Sequence, residues 1–266
     1  MRTIDGVADE KTRPIGVFDS GVGGISVLQE LIKIMPNENY IYLGDSKNAP
    51  YGTKSLEEVR RLSFANAQLL LEQGAKGLVV ACNTATSAAV RMMRSTYPQL
   101  PIVGIEPALK PAALQKEHPR VLVMATPMTV TQEKFKLLMA RYEDQAEIYP
   151  LPCAGLMEFV EAGDLESEQL HEFLQKLLHP YLEKQLDSIV LGCTHYPFAK
   201  KMIQQIVGEQ VTIFDGGAGT AREMRRRLAA ANLLNPSGEH GWVKFENSVA
   251  TEAELALCRR LLEQEI

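Results

Sequence analysis

Short apolar runs of strand length alternate with longer amphipathic stretches along almost the whole chain. This alternation is typical of repeated β-α-β units, in which helices connect parallel strands and cover both faces of a sheet. The pattern therefore predicts an α/β fold with mostly parallel sheets. The predicted strands are Ile15–Asp19, Tyr40–Gly44, Leu78–Cys82, Ile102–Ile105, Val121–Thr126, Ile148–Leu151, Ile189–Cys193, Val211–Asp215 and Val243–Phe245.

Two stretches of the chain repeat the same order of features. In each stretch one strand ends in a polar loop, at Asp19 or Thr126, and a later strand ends at a cysteine, Cys82 or Cys193. The offsets from loop to cysteine are 63 and 67 residues. Such a repeat indicates a duplicated unit, so we predict two similar α/β domains related by pseudo-symmetry. The active site is expected in the cleft between them.

The predicted domain boundaries follow from this repeat. Residues 14–105 form the first α/β domain, which residues 214–266 complete, and residues 106–213 form the second domain. Residues 1–13 are polar and are predicted to be a flexible leader without the apolar core of a signal peptide.

Composition excludes several classes of protein. The 266 residues are 45% hydrophobic and 23% charged, with a formal net charge of −5, which gives no electrostatic reason to expect a nucleic-acid partner. No apolar run reaches the length needed to span a membrane. Four cysteines without a close CxxC pair argue against a disulfide scaffold and against a zinc cluster. A reducing cytoplasm is the expected location.

Two cysteines occupy equivalent positions at the ends of predicted strands. Cys82 follows an apolar strand and precedes a helix that Asn83 or Thr84 is predicted to cap, and Cys193 has the same placement. The positive end of a helix dipole favours a thiolate over a thiol. Two thiols that face one site from opposite sides can remove a proton from one face of a carbon and return a proton to the other.

The surroundings distinguish these two cysteines from the others. His195 lies two residues after Cys193, where it can tune that thiol or pass protons, and Pro197 suits the first position of a helix. Cys153 and Cys258 lack such neighbours, and we assign them to packing.

A glycine-rich loop, Asp19–Gly24, follows the first strand and opens a helix. Dinucleotide-binding loops have this context, but Ser26 stands where the third glycine of GxGxxG is required. An aspartate at the strand end would also repel phosphate. The loop is therefore interpreted as a tight turn that holds Asp19 and Ser20 towards the cleft.

Taken together, these segments resemble the glutamate racemases of the cofactor-independent aspartate/glutamate racemase superfamily. The resemblance extends from about Ile15 to Gly219, and the order of its motifs is highly specific. One departure is Ser46, where the family more often has threonine, and the hydroxyl group is retained. The motifs are Gly16–Gly24, Tyr42–Asp45, Pro50–Gly52, Ala81–Ala85 and Gly192–Pro197.

The resemblance implies roles for individual residues. Cys82 is implied to remove the α-proton of D-glutamate, and Cys193 that of L-glutamate. Asp19 and His195 are implied to assist the thiols, and Glu161 matches a third assisting acid. The implied substrate-binding residues are Asp19, Ser20, Tyr51, Gly52, Asn83, Thr84, Thr194 and His195.

The same resemblance implies an isomerase that interconverts L- and D-glutamate and supplies D-glutamate for peptidoglycan. The expected partner is glutamate as a small-molecule substrate, with no cofactor, metal, nucleic acid or membrane, and homodimers are common in the family. Three alternatives stay open: an aspartate racemase with a shorter pocket, a related decarboxylase that needs one cysteine, and an amino-acid-binding protein whose cysteines are merely buried.

Overall fold

Two parallel sheets organise residues 10–266, the part of the chain that the computed structural model describes. The strands are β1 (Ile15–Asp19), β2 (Tyr40–Gly44), β3 (Gly77–Val80), β4 (Ile102–Gly104), β5 (Arg120–Ala125), β6 (Glu147–Pro152), β7 (Ser188–Leu191), β8 (Thr212–Asp215) and β9 (Val243–Asn247). The first sheet has the order β4-β3-β1-β2-β9, the second has the order β6-β5-β7-β8, and neighbouring strands are parallel throughout. The predicted fold class is confirmed.

Helices connect the strands and cover both faces of each sheet. They are α1 (Ile25–Ile34), α2 (Leu56–Glu72), α3 (Asn83–Thr96), α4 (Leu109–Ala113), α5 (Pro127–Thr131), α6 (Glu133–Ala140), α7 (Leu156–Glu161), α8 (Glu168–Leu182), α9 (Lys200–Val207), α10 (Gly217–Ala230) and α11 (Glu252–Glu263). Short 3₁₀-helices lie at Glu10–Thr12, Ser46–Asn48, Tyr51–Thr53 and Tyr196–Ala199. Within residues 10–266, no helix is both long and apolar enough to cross a membrane.

The central strands are apolar along their whole length because both of their faces are covered. Val17 and Val79 point to the face covered by α1, α10 and α11, whereas Phe18 and Val80 point to the face covered by α2 and α3. The second sheet has the same layered arrangement, with separate apolar clusters on its two faces.

The two halves also share a core. Val160 of α7 and Phe198, which follow strands of the second sheet, pack into the apolar cluster on the α1 face of the first sheet. This contact brings the carboxyl ends of β1 and β7 together, which is where parallel sheets bind ligands.

Strand pairing gives the sheet to which each late segment belongs. β9 pairs with β2 in the first sheet, and β8 pairs with β7 in the second. The division into domains at residues 14–105 with 214–266 and 106–213 stays a prediction. Of the predicted flexible leader, residues 1–9 lie outside the described residues, and the 3₁₀-helix Glu10–Thr12 lies within them.

Candidate active site

Cys82 lies between the end of β3 and the start of α3. Its sulfur accepts a hydrogen bond from the Ala85 backbone N–H at 3.5 Å, so Cys82 itself is the N-cap of α3. The predicted caps, Asn83 and Thr84, are wrong because both already lie inside the helix. The thiol also donates to the Ser20 hydroxyl at 3.6 Å.

The buried surroundings of Cys82 favour its thiol form. Burial and the Asp19 carboxylate raise its pKa to about 12, although the Ala85 N–H and Ser20 act in the opposite direction. A negative charge on Cys193 is the smallest contribution to this increase in pKa. The helix N-terminus therefore does not, by itself, produce the thiolate expected from the sequence, because burial outweighs it.

Cys193 follows β7 and has a cationic partner instead. Its sulfur lies 3.7 Å from Nδ1 of His195, and Nε2 of the same ring donates to Oε1 of Glu161 at 2.6 Å. Since both ring nitrogens face acceptors, the imidazolium satisfies both contacts. A positive charge beside Cys193 is what a thiolate at that position requires.

The pKa values of His195 and Glu161 shift in opposite directions. Burial lowers the pKa of His195, but its hydrogen bonds to Cys193 and Glu161 outweigh burial and hold this pKa well above its ordinary value. Burial raises the pKa of Glu161, yet the hydrogen bond and charge of His195 hold it below the ordinary value. The two side chains thus form a stable ion pair at neutral pH.

Asp19 links the two halves of the site. Its Oδ1 accepts from the Gly21 N–H at 3.0 Å, and its Oδ2 accepts from the Thr194 hydroxyl at 3.1 Å. Burial raises the pKa of Asp19, although the His195 charge and these hydrogen bonds oppose that shift. Asp19 from the first half therefore contacts the segment that carries Cys193 and His195 in the second.

The glycine-rich loop is shaped by close contacts rather than by unusual backbone angles. A Cβ atom on Gly21 would lie 2.0 Å from Oε1 of Glu161, and one on Gly23 would lie 2.3 Å from Nδ1 of His195. The Val22 N–H between them donates to Oε1 of Glu161 at 3.2 Å. Glycine is needed here because the loop packs directly against the His195–Glu161 pair.

The remaining predicted binding residues surround the same region. Thr84 is buried in the first turn of α3, and Asn83 is buried beside it with an Oδ1 that has no hydrogen-bond partner among residues 10–266. A buried acceptor in this position is available to a donor group of a ligand or to a bound water. Gly52 faces the second half, where a Cβ atom would meet Thr126 and Met128 at 3.8 Å.

Comparison with known proteins gives the family. Residues 15–224 match the model of the Asp/Glu/hydantoin racemases. The glutamate racemase of Clostridium perfringens strain 13 is 54% identical over 255 residues, which are 96% of this chain and 98% of that relative. This chain belongs to the Asp/Glu/hydantoin racemase family.

Solved structures of racemases have the same fold. The glutamate racemase of Francisella tularensis, in complex with D-glutamate, superposes with a TM-score of 0.81 at 27% identity and covers 96% of both chains. The Escherichia coli glutamate racemase, in complex with L-glutamate and an activator, gives a TM-score of 0.80 at 31% identity and covers 94% of both chains.

One contact of this racemase-family site escaped the sequence analysis. The Ser26 hydroxyl lies 2.8 Å from the Thr194 carbonyl oxygen and donates across the two halves. The sequence does single out Ser26, because Ser26 occupies the position of the third glycine in the dinucleotide-binding pattern. What the pattern could not supply is the partner, which lies 168 positions further along the chain.

Within residues 10–266, neither of the other two cysteines hydrogen-bonds to the side chains described above, although Cys153 packs in the same apolar cluster as Cys193. Cys258 lies within α11 in the core of the first half, and burial raises its pKa to about 12. Cys153 lies in the core of the second half and donates to the Leu151 carbonyl at 3.3 Å. Their predicted inertness is consistent with this packing and stays a prediction.

A cavity of about 130 Å³ lies between α3 and α6, beside Asn83. Its walls include Ile105, Phe135 and the cationic side chains Lys134 and Arg141.

Within residues 10–266, no group of three or more His, Cys, Asp or Glu side chains is placed to hold a metal ion.

Proposed function

We propose that this chain is a glutamate racemase that transfers protons at the α-carbon with two cysteines. The observation that carries the proposal is the unequal setting of the two thiols. Cys82 lies beside the Asp19 carboxylate with its pKa raised to about 12, whereas Cys193 lies beside the His195 cation. One thiol and one thiolate is the pair that a two-base inversion requires.

The reaction from L- to D-glutamate begins with the Cys193 thiolate. It removes the α-proton from one face, and the Cys82 thiol then delivers its proton to the opposite face. Cys193 is left as a thiol and Cys82 as a thiolate, so the reverse reaction starts from the opposite protonation state. Charge repulsion between the two sulfurs disfavours a state in which both are ionised.

Hydrogen-bond donors must stabilise the carbanionic intermediate, because the α-proton of an amino acid is a very weak acid. The N-terminus of α3 offers backbone N–H groups together with Asn83 and Thr84, whereas the Thr194 hydroxyl donates to the Asp19 carboxylate. Donors held in place before the reaction act most strongly where water is excluded. The unpartnered Oδ1 of Asn83 is suited to accept from the substrate ammonium group.

Glutamate is favoured over aspartate by the named relatives. The proteins with the same fold include racemases solved with D-glutamate and with L-glutamate, and the curated relative from Clostridium perfringens is a glutamate racemase. The reaction would take place in the cytoplasm and supply D-glutamate for peptidoglycan, and the enzyme would act as a homodimer.

Circular dichroism tests the activity directly. L- and D-glutamate are incubated separately with purified protein and no added cofactor, and both signals should decay to zero. Aspartate should retain its signal under the same conditions. In heavy water, deuterium should appear at Cα of glutamate. A constant signal from both enantiomers without deuterium uptake would instead indicate an amino-acid-binding protein.

Single-cysteine variants test the assignment of the two bases. Cys82→Ser and Cys193→Ser should each lower kcat/KM by on the order of a thousandfold or more, because a serine hydroxyl is a far weaker acid than a thiol and is not ionised at neutral pH. Cys258→Ser is the matched control, since that thiol lies in the core, and its activity should be unchanged. Substantial racemisation by either active-site variant would contradict the two-thiol mechanism.

A further inference from the structure

A buried hydrogen-bonded network lies beside the site, past the end of β2. The Tyr51 hydroxyl donates to Oδ2 of Asp45 at 2.6 Å and accepts from Nδ2 of Asn66 at 3.0 Å. Asn48 donates to Oδ1 of Asp45 at 2.9 Å. Asp45, Tyr51 and Asn66 are buried. We call Asp45, Tyr51 and Asn66 the tyrosine anchor.

Three separate segments meet in the tyrosine anchor. Asp45 directly follows β2, Tyr51 begins the 3₁₀-helix Tyr51–Thr53, and Asn66 lies in the middle of α2. Buried polar groups are costly unless they are paired, and an apolar cluster would fill the same space without that cost. A network whose members satisfy one another fixes a single geometry of the loop, which apolar packing does less strictly.

The anchor is connected to the site at both ends. The Asp45 N–H donates to the Asp19 carbonyl oxygen at 3.0 Å. The backbone of Asp45 is therefore held directly beside Asp19. Tyr51 packs in the same apolar cluster as Cys82, and burial together with Asp45 raises the pKa of the tyrosine. Gly52, the next residue, faces Thr126 and Met128 of the second half.

This arrangement separates two functions of the loop. The Tyr51 side chain is buried towards Asp45 and Asn66, so its hydroxyl is already occupied by protein partners. What remains for the cleft is the loop backbone around Gly52 and the Tyr51 N–H, since the Tyr51 carbonyl oxygen accepts from the Lys54 N–H. The position of that backbone depends on where the side chain is held.

We propose that Asp45 and Asn66 are positioning residues, which hold the Tyr51-Gly52 backbone in the geometry that binds substrate. The proposal rests on the proposed function, because it assigns these residues to the substrate loop of that same site. Loss of the anchor should weaken substrate binding more than it slows proton transfer, since neither Asp45 nor Asn66 hydrogen-bonds to either active-site thiol.

Steady-state kinetics of four variants test this inference in both directions of racemisation. Tyr51→Phe and Asn66→Ala each remove hydrogen bonds of the anchor and should raise KM on the order of tenfold, with kcat changed less than threefold. Asp45→Ala should act in the same way. Asp45→Asn keeps an oxygen that accepts from the Tyr51 hydroxyl, so it should recover most of the wild-type KM.

Tyr40→Phe is the matched control for lost hydrogen bonds in the same domain. Tyr40 is equally buried, begins β2 at the end remote from the site, and donates to the Leu31 and Met35 carbonyl oxygens. Thermal unfolding of each variant shows that the assays contain folded protein. Tyr40→Phe should lower the melting temperature and leave KM unchanged.

Any one of three results would overturn the proposal. The KM of Tyr51→Phe could lie within twofold of the wild-type value, Tyr40→Phe could show an equal rise of KM, or the anchor variants could lose only kcat. In each case the wild-type protein still racemises glutamate. Failure of the proposed function has a different signature, namely wild-type protein that does not racemise glutamate at all.

Discussion

Replacement of Glu161 by glutamine tests the electrostatic setting of Cys193. Glutamine has nearly the same shape, and its side-chain oxygen can still accept from Nε2 of His195 and from the Val22 N–H. The substitution therefore removes the negative charge 2.6 Å from the ring while it keeps the contacts. Any effect on the reaction then reports the charge rather than the position of His195.

The expected loss follows from the acceptor charge that the substitution removes, because the His195 cation then donates to a neutral amide oxygen instead of a carboxylate. Hydrogen bonds to charged groups contribute about 1.5–3 kcal/mol, and one unit of pKa corresponds to about 1.4 kcal/mol. Glu161→Gln should therefore destabilise the His195 cation by about 1–1.5 kcal/mol, and kcat/KM at neutral pH should fall on the order of tenfold.

The pH dependence has a definite sign. His195 has a raised pKa, so its cation is present at low pH and is lost as the pH rises through that value. Without the Glu161 charge this pKa falls, and the alkaline decline of kcat/KM should begin at a lower pH than in wild type. Acidic pH should restore part of the lost activity.

Circular dichroism of both enantiomers across the pH range measures this effect, and a ¹⁵N NMR titration of the His195 ring follows the same proton. The two enantiomers have equal free energies, so kcat/KM must be the same in both directions for every variant, which checks the data internally. An unchanged alkaline limb in Glu161→Gln, or the same fractional loss at every pH, would refute the electrostatic role of Glu161.

Four further substitutions test other parts of the protein. Asp19→Asn removes the charge that raises the pKa of Cys82, so that pKa should fall below about 12. The pH dependence of alkylation measures it, and an unshifted profile contradicts the assignment. Gly23→Ala places a Cβ atom 2.3 Å from the His195 ring and should lower kcat/KM on the order of a hundredfold. Gly219→Ala, where a Cβ atom meets open space, should be neutral, and equal losses in both would refute the steric argument. Cys258→Ala should destabilise the protein by about 1–2 kcal/mol in denaturant unfolding with unchanged kcat/KM, and lost activity would show that this thiol is not inert.

Local sequence patterns identified the parts of the fold that depend on local physics. β1 and β2 were predicted at their observed bounds, because a strand covered on both faces must be continuously apolar. The placement of both cysteines at strand ends followed from the same pattern. The helix cap at Cys82 was missed because sulfur is rarely considered among capping acceptors.

Contacts between distant segments could not be found in this way. Glu161 and His195 are 34 positions apart, and only the resemblance to a family connected them to one site. The role of Gly21 and Gly23 depends on what the loop packs against, which no turn pattern contains. The pKa of Cys82 depends on burial, and the sequence supplied only the opposing effect of the helix N-terminus.

The unequal settings of the two thiols have a consequence for the kinetics of a symmetric reaction. Because the products are mirror images, the enzyme cannot favour one enantiomer at equilibrium, whatever charges surround Cys82 and Cys193. The asymmetry instead determines which protonation state the enzyme prefers, both free and with substrate bound. The carboxylate beside Cys82 and the cation beside Cys193 favour the state that accepts L-glutamate. We therefore expect different kcat and KM values for the two enantiomers at equal kcat/KM, and a ratio of the two kcat values that changes when Asp19 or Glu161 loses its charge.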